Sequence, residues 1–189
     1  MDLSPFIRPR VDLKRIAQVF DEISHAGRVA AIGRLSLADQ AALFEAAAGF
    51  RAITLDDFVP KSVKIGTPVI HYGVNSLKAF THFQKRWCRM APGDELIGYN
   101  HQMMQWLTGP GYFTGKQGKP GEVLIDYTIT PTEKPEGWPK IQANRSGPAS
   151  VVYGGMIDVM RGISTHVTIG RAQKKGKFVD NWFLLCRES

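Results

Sequence analysis

Five histidines, His25, His71, His82, His101 and His166, are the side chains of this chain whose ordinary titration lies nearest neutral pH. None stands in the H-x-x-x-H or H-x-H spacing that marks a metal site, so no metal ligand is assigned, although three separate strands are one way to bring His71, His101 and His166 together. A single axial histidine for haem leaves no local motif, and the sequence names no cofactor. Asp126 and Asp158 are the carboxylates of interest. An aspartate taken out of water can be raised toward neutrality, so His101 or His166 with Asp126 or Asp158 is the candidate acid/base set, conditional on their meeting in one pocket. Asp158 and Arg161, three residues apart, equally suit an ion pair across one helical turn. No G-x-S-x-G elbow occurs, and neither Cys88 nor Cys186 sits in a protease signature. The glycines from Gly109 to Gly121 lack the G-x-x-x-x-G-K-[ST] pattern and precede a strand, which fits hairpin turns rather than a phosphate cradle.

A second concentration of chemistry runs from Tyr99-Asn100-His101-Gln102 through Trp106 to Gly109-Pro110-Gly111-Tyr112-Phe113. On a strand Tyr99, His101 and Met103 share one face and would stack on and hydrogen-bond to one ligand. With Trp106, Tyr112 and Tyr127 they are the candidate ligand-binding residues. The competing reading is a core segment whose polar residues face water.

These residues need elements to hold them. Asp12 is a plausible N-cap before Leu13, Ile16, Ala17, Phe20 and Ile23, which recur at helical spacing until Gly27. Ser36 and Asp39 open a second helix with Leu37, Ala41, Phe44 and Ala48 on one stripe and Gly49 as its stop. After about Lys64 the punctuation becomes Gly and Pro, and eight segments read as strands: Thr67–Gly73, Ala79–Arg89, Glu95–Leu107, Tyr112–Lys116, Glu122–Thr130, Val151–Ile157, Thr165–Ala172 and Lys177–Arg187. Val123, Ile125, Tyr127 and Ile129 share one face of the fifth, and the last two form a hairpin about Lys174–Lys177. Three segments also fit helices: Leu77, Phe80, Phe83, Trp87 and Met90; Asp94, Leu96, Tyr99, Met103 and Trp106; and Val152, Met156, Val159, Met160 and Ile163. Helices there give an open α+β sheet. Strands give about eight in antiparallel order, enough to close a small barrel around one ligand. Pro131 to Ala149 carries four prolines and little periodicity, so Trp138 and Ile141 either cover an opening or pin a surface loop.

At 189 residues and 43% hydrophobic content a single domain, 1–189, is expected, with 1–60 helical and 64–189 mainly antiparallel β. The N-terminus shows no basic stretch followed by an apolar run, and no window is long and apolar enough to span a bilayer. Two cysteines among large apolar neighbours read as buried thiols of a reducing compartment, which points to the cytoplasm. The net charge of +7 is scattered, densest at Lys85-Arg86 with Arg89 and at Lys174-Lys175-Gly176-Lys177, and no nucleic-acid partner is expected.

Asp158-Val159-Met160-Arg161-Gly162-Ile163, Val167-Thr168-Ile169-Gly170-Arg171 and Asn181-Trp182-Phe183-Leu184-Leu185-Cys186-Arg187 resemble the closing hairpin of lipocalin-like proteins, including plastid lipid-associated fibrillins. The resemblance spans these segments alone, and the early G-x-W signature of lipocalins is missing, since Lys85-Arg86 precede Trp87. It implies a β-barrel that holds a small lipophilic molecule. The expected architecture is therefore α+β, an N-terminal helical pair packed on a strongly curved antiparallel sheet or an eight-stranded lipocalin-like barrel. The expected function is binding of a small lipophilic or aromatic molecule. The alternatives are a cofactor-free enzyme using His/Asp acid/base chemistry on such a molecule, or a protein-interaction module.

Overall fold

Phe83, Lys85 and Trp87 alternate with Gln84, Arg86 and Cys88, and this period of two places successive side chains on opposite faces of a strand. In the computed structural model, which describes residues 1–76, 81–91, 95–103, 105–145 and 147–188, eight strands follow that rule. They are β1 (Val69–Asn75), β2 (His82–Cys88), β3 (Leu96–His101), β4 (Phe113–Gln117), β5 (Val123–Asp126), β6 (Met156–Gly162), β7 (Val167–Lys174) and β8 (Lys177–Arg187). Each pairs antiparallel with the next, and β8 returns to β1 with Cys186 opposite Tyr72, so the sheet is a closed barrel without free edges. Closure decides between the two architectures the sequence permits.

Glycines on the inner face make room for the rings that fill the barrel. Gly73 lies opposite Phe83, Gly98 opposite both Trp87 and Phe113, and Gly170 opposite Phe183. A methyl group on Gly73 would sit 2.5 Å from the Phe83 ring, and Gly98, Gly115 and Gly170 are covered in the same way by Phe113, Trp87 and Phe183. Each ring thus lies over the backbone at a glycine, and the interior stays close-packed without splaying the wall.

One end of the barrel is plugged by the connector from the helices. Ile53, Leu55, Phe58 and Val59 enter beside Trp87, Leu96, Phe113 and Val123 to form the inner core. The 3-10 turn Leu55–Asp57 is fixed by Thr54 and Asp57, which cap each other reciprocally. His71 belongs to this end, its Nε2 2.9 Å from the Phe58 carbonyl and its ring stacked on Phe58; burial drives its pKa down to about 3 and keeps it neutral.

Four helices precede the plug, not the single expected pair: α1 (Ser4–Ile7), α2 (Leu13–Glu22), α3 (His25–Ile32) and α4 (Leu37–Ala46). Asp12 caps α2 through the Arg15 N–H, and Ser36 with Asp39 forms the expected capping box of α4. The expected run to Gly27 breaks at Ile23, where the backbone extends and Ser24 caps a new helix through the Gly27 N–H. These helices cover the outer face of the barrel wall. Ile16, Phe20, Ile32, Leu43 and Phe44 pack with Val74, Val167, Ile169, Trp182, Leu184 and Cys186 in a second core. Both cysteines are buried and free.

The strand readings need three corrections. The segment from Glu95 to Leu107 is a strand only to His101, after which α5 (Gln105–Thr108) makes one helical turn before Gly109-Pro110. Val151 and Val152 belong not to a strand but to α6 (Gly147–Tyr153), and β6 begins at Met156 and continues to Gly162. β5 stops at Asp126 because its Oδ1 accepts both the Thr128 N–H at 2.8 Å and the Thr128 hydroxyl at 2.6 Å, turning the chain. Ile129, expected to share a face with Val123, Ile125 and Tyr127, is consequently exposed. Of the helical alternatives, Leu77, Phe80 and Asp94 lie outside the described residues; Phe83 and Trp87 are on β2. No helix among the described residues is long and apolar enough to cross a membrane.

Candidate ligand-binding site

The plugged end leaves the opposite half of the barrel open. Inside it is a cavity of about 390 Å3, within the range typical of small-molecule sites. Phe83 and Phe183 form its walls with Val179, Tyr127 and Met156, and Val151, Val152 and Tyr153 of α6 lie across its mouth. Tyr153 stacks on Tyr127 with centroids 5.2 Å apart, and its hydroxyl accepts the Gln102 amide at 3.1 Å, which ties α6 to the barrel. The walls are mainly apolar or aromatic; Asn75, Gln102, Lys174 and Asn181 add polar lining, and one place is both polar and deeply buried.

That place is Lys85. Its inward position follows from the alternation of Phe83, Lys85 and Trp87 on β2, and its side chain is only 3% exposed. The ammonium donates to Asn100 Oδ1 at 2.9 Å and to the Tyr127 hydroxyl, and lies 3.6 Å from Asp158 Oδ2. The Asn100 amide is held in turn by the Gly111 carbonyl at 3.3 Å. Phe83, Phe113, Tyr127 and Phe183 all place ring centroids 5.0 to 5.5 Å from Nζ, so aromatic faces complete the cation's surroundings. Burial pulls the Lys85 pKa down to about 8, with the Asp158 charge opposing it. Burial likewise raises Asp158, against the pull of Lys85, and pushes the Tyr127 phenol well up. Oδ1 of Asp158 is buried and has no hydrogen-bond partner among the described residues. While the pair holds one proton between them, Lys85 and Asp158 together carry no net charge, so in that state the cluster presents hydrogen-bonding capacity rather than a net field.

Of the residues expected to bind a ligand, only Tyr127 lines this cavity. Tyr99 and His101 do share a face of β3, but it is the outer one; the intervening Asn100 and the following Gln102 point inward. A period of two identifies two faces without saying which is inside. Tyr99 and Tyr112 pack instead with Trp138 and Ile141 against the outside of the wall. The Tyr112 hydroxyl donates to the Pro139 carbonyl at 2.6 Å, and Asn144 donates to the carbonyls of Tyr112 and Tyr127 at 2.7 and 2.9 Å. The segment 131–145 is thus pinned alongside the barrel, and Trp138 and Ile141 line no part of the cavity. Met103 and Trp106 are 93% and 81% exposed.

The acid/base candidates separate as well. His101 is exposed on the outer wall, His166 lies in the β6–β7 turn, and neither hydrogen-bonds to Asp126 or Asp158 among the described residues. Asp126 faces outward and accepts Lys116 at 2.7 Å; although burial opposes it, the hydrogen bonds from Lys116 and Thr128 hold its pKa below the usual value. Asp158 alone of the four enters the cavity. Its suggested partner Arg161 stands on the opposite face of β6, as residues three apart on a strand must, and pairs with Glu122 at 2.9 Å. No three His, Cys, Asp or Glu side chains among the described residues are grouped to hold a metal. The Lys85-Arg86 charge cluster is divided likewise, Lys85 inward and Arg86 outward. The chain matches no family model, no curated protein and no solved structure.

Proposed function

We propose that this protein binds a small lipophilic or aromatic molecule inside the barrel, its polar end directed to Lys85, Asn100, Tyr127 and Asp158. The observation that carries this reading is the cavity itself: about 390 Å3 lined largely by aromatic and aliphatic side chains, with a buried polar cluster to orient a guest. A cavity serving only to relax packing would have no need of a buried lysine and carboxylate. Their desolvation is costly, and apolar residues of similar volume would fill the space with less penalty. The apolar wall selects for lipophilicity and the neutral cluster for a hydrogen-bonding group.

Calorimetric titration of the intact protein with 2-naphthol, a flat aromatic molecule bearing one hydroxyl, tests it. Saturable binding of one equivalent is expected. Met156→Trp, which places an indole in the cavity from its rim, is expected to abolish that binding while the far-ultraviolet circular dichroism stays unchanged. Absence of saturable binding by 2-naphthol and by decanol, together with no retained small molecule in native mass spectrometry, overturns the reading.

A further inference from the structure

Among the described residues, Lys85 is the one lysine whose amine faces the cavity from its interior wall. Lys174, which also borders the space, sits at the rim and is engaged with the Val151 carbonyl at 2.9 Å. We propose that Lys85 condenses reversibly with the carbonyl group of a small lipophilic aldehyde held in the barrel, forming an imine. This rests on the binding reading above and names the chemical class of its ligand.

Three observations of geometry support it. The amine nitrogen is buried among four aromatic rings, so an aldehyde's hydrocarbon part and its carbonyl would be accommodated at the same point. Asp158 Oδ1 is buried, unpartnered and on the same carboxyl group whose other oxygen is 3.6 Å from Nζ, which places a proton carrier next to the nitrogen. The Tyr127 hydroxyl, in contact with Nζ, has a proton to offer an oxygen arriving there, while Asn100 Oδ1 accepts from Nζ and fixes its position. A carboxylate guest would meet Asp158 beside the lysine, whereas a neutral carbonyl meets no repulsion. Burial also keeps a fraction of the amine uncharged: at pH 7 a lysine of pKa about 8 is neutral in about a tenth of molecules, roughly 300-fold more than at the ordinary value of 10.5.

The step balances without a further reactant. The neutral nitrogen attacks the carbonyl carbon, the C–N bond forms, and the carbonyl π pair moves to oxygen, which takes a proton. The resulting carbinolamine loses its C–O bond; the nitrogen lone pair forms C=N, and the oxygen leaves as water with a second proton. Nitrogen gives up two protons in all and oxygen gains two, so Asp158 passes protons between them and ends as it began. Hydrolysis reverses each step.

The test is reductive trapping on the full-length protein. Incubation with 2-naphthaldehyde and sodium cyanoborohydride, followed by peptide mass mapping, is expected to label Lys85 roughly tenfold or more faster than any other lysine, as its larger neutral fraction requires. Excess 2-naphthol, which shares the ring but lacks the carbonyl, is expected to suppress labelling at Lys85 and leave the surface lysines unaffected. Asp158→Asn retains the amine and is expected to slow labelling at that position by roughly tenfold or more. Labelling confined to surface lysines, or labelling at Lys85 no faster than theirs, while 2-naphthol binds, overturns the imine and leaves the binding reading standing. Failure of both 2-naphthol binding and Lys85 labelling overturns the two together. Lys85→Arg serves as the mapping control, and the wild-type map with competition decides the matter if that variant does not fold.

Discussion

At the scale of single residues, the Lys85–Asp158 pair is expensive to bury and is best understood by removing it in parts. Lys85→Met leaves Asp158 without its cation and is expected to destabilise the fold by about 3–5 kcal/mol in urea denaturation. Adding Asp158→Leu is expected to regain most of that loss, since a dry pair replaced on both sides by apolar groups costs little. A double variant as unstable as the single would mean that the pair is a structural requirement of the barrel. The same lysine gives a signature with pH. Its folded pKa of about 8 is below the 10.5 of an exposed lysine, so between those values the unfolded chain binds more protons. Stability contributed through Lys85 therefore rises as pH increases across that window, and is lowest below it. The wild-type minus Lys85→Met difference in unfolding free energy, followed from pH 7 to 10.5, is expected to shift in favour of the wild type; a flat difference sinks the assignment. The sequence showed Tyr127 and Asp158 as chemically interesting but passed over Lys85, which stood out only as part of a charge cluster with Arg86. The available signal was the company it keeps: a lysine between Phe83 and Trp87 at spacing two belongs to the face on which those rings are buried.

At the scale of elements, pairing between glycine and an inward ring recurs across β1–β2, β2–β3, β3–β4 and β7–β8. Gly73→Ala forces the new methyl into the Phe83 ring and is expected to cost about 1–3 kcal/mol. Phe83→Leu in the same chain removes the obstructing ring edge, so the double variant is expected to be more stable than the sum of the two single losses implies; strict additivity in a thermal-melt double-mutant cycle would refute the pairing. Strand existence was largely legible, because alternation and turn residues are local properties. Strand ends were not: the Asp126–Thr128 turn and the helical turn at Gln105–Thr108 depend on side-chain hydrogen bonds and tertiary packing that override an alternating pattern. The helix starts at Asp12 and Ser36 were legible for the opposite reason, since an N-cap is a contact within three residues.

At the scale of the whole molecule, two cores share one wall. The inner faces of β6 and β8 fill the barrel while their outer faces receive the helices, so these strands are apolar on both sides, and Leu184-Leu185-Cys186 reads as a continuous run. Arg161 fastens the layers where they meet. It donates to Glu122 and to the Phe44 carbonyl at the end of α4, both at 2.9 Å, and lies over the Phe44 ring. Arg161→Ala is expected to cost about 1.5–3 kcal/mol in chemical denaturation, and an effect under about 0.5 kcal/mol would show that the helices dock without it. Barrel closure was the property least legible beforehand, because β1 and β8 are separated by more than half of the chain, and nothing local announces that they will meet.

The helix across the mouth brings time into the account. α6 starts at Gly147 and is followed by Gly155, both in the left-handed region at φ +59 and +65, and it is fastened by Lys174 to the Val151 carbonyl and by Gln102 to Tyr153. On the binding reading, a guest entering and the same guest leaving pass one door. A latch that holds the door equally in the empty and filled barrel slows both passages by the same factor. Lys174→Met is therefore expected to accelerate association and dissociation of 2-naphthol alike in stopped-flow measurements, leaving the equilibrium constant within about twofold. A change in the dissociation rate alone would mean that α6 touches the guest rather than merely detaining it. How long a molecule stays is then set at the rim, separately from how tightly the interior holds it.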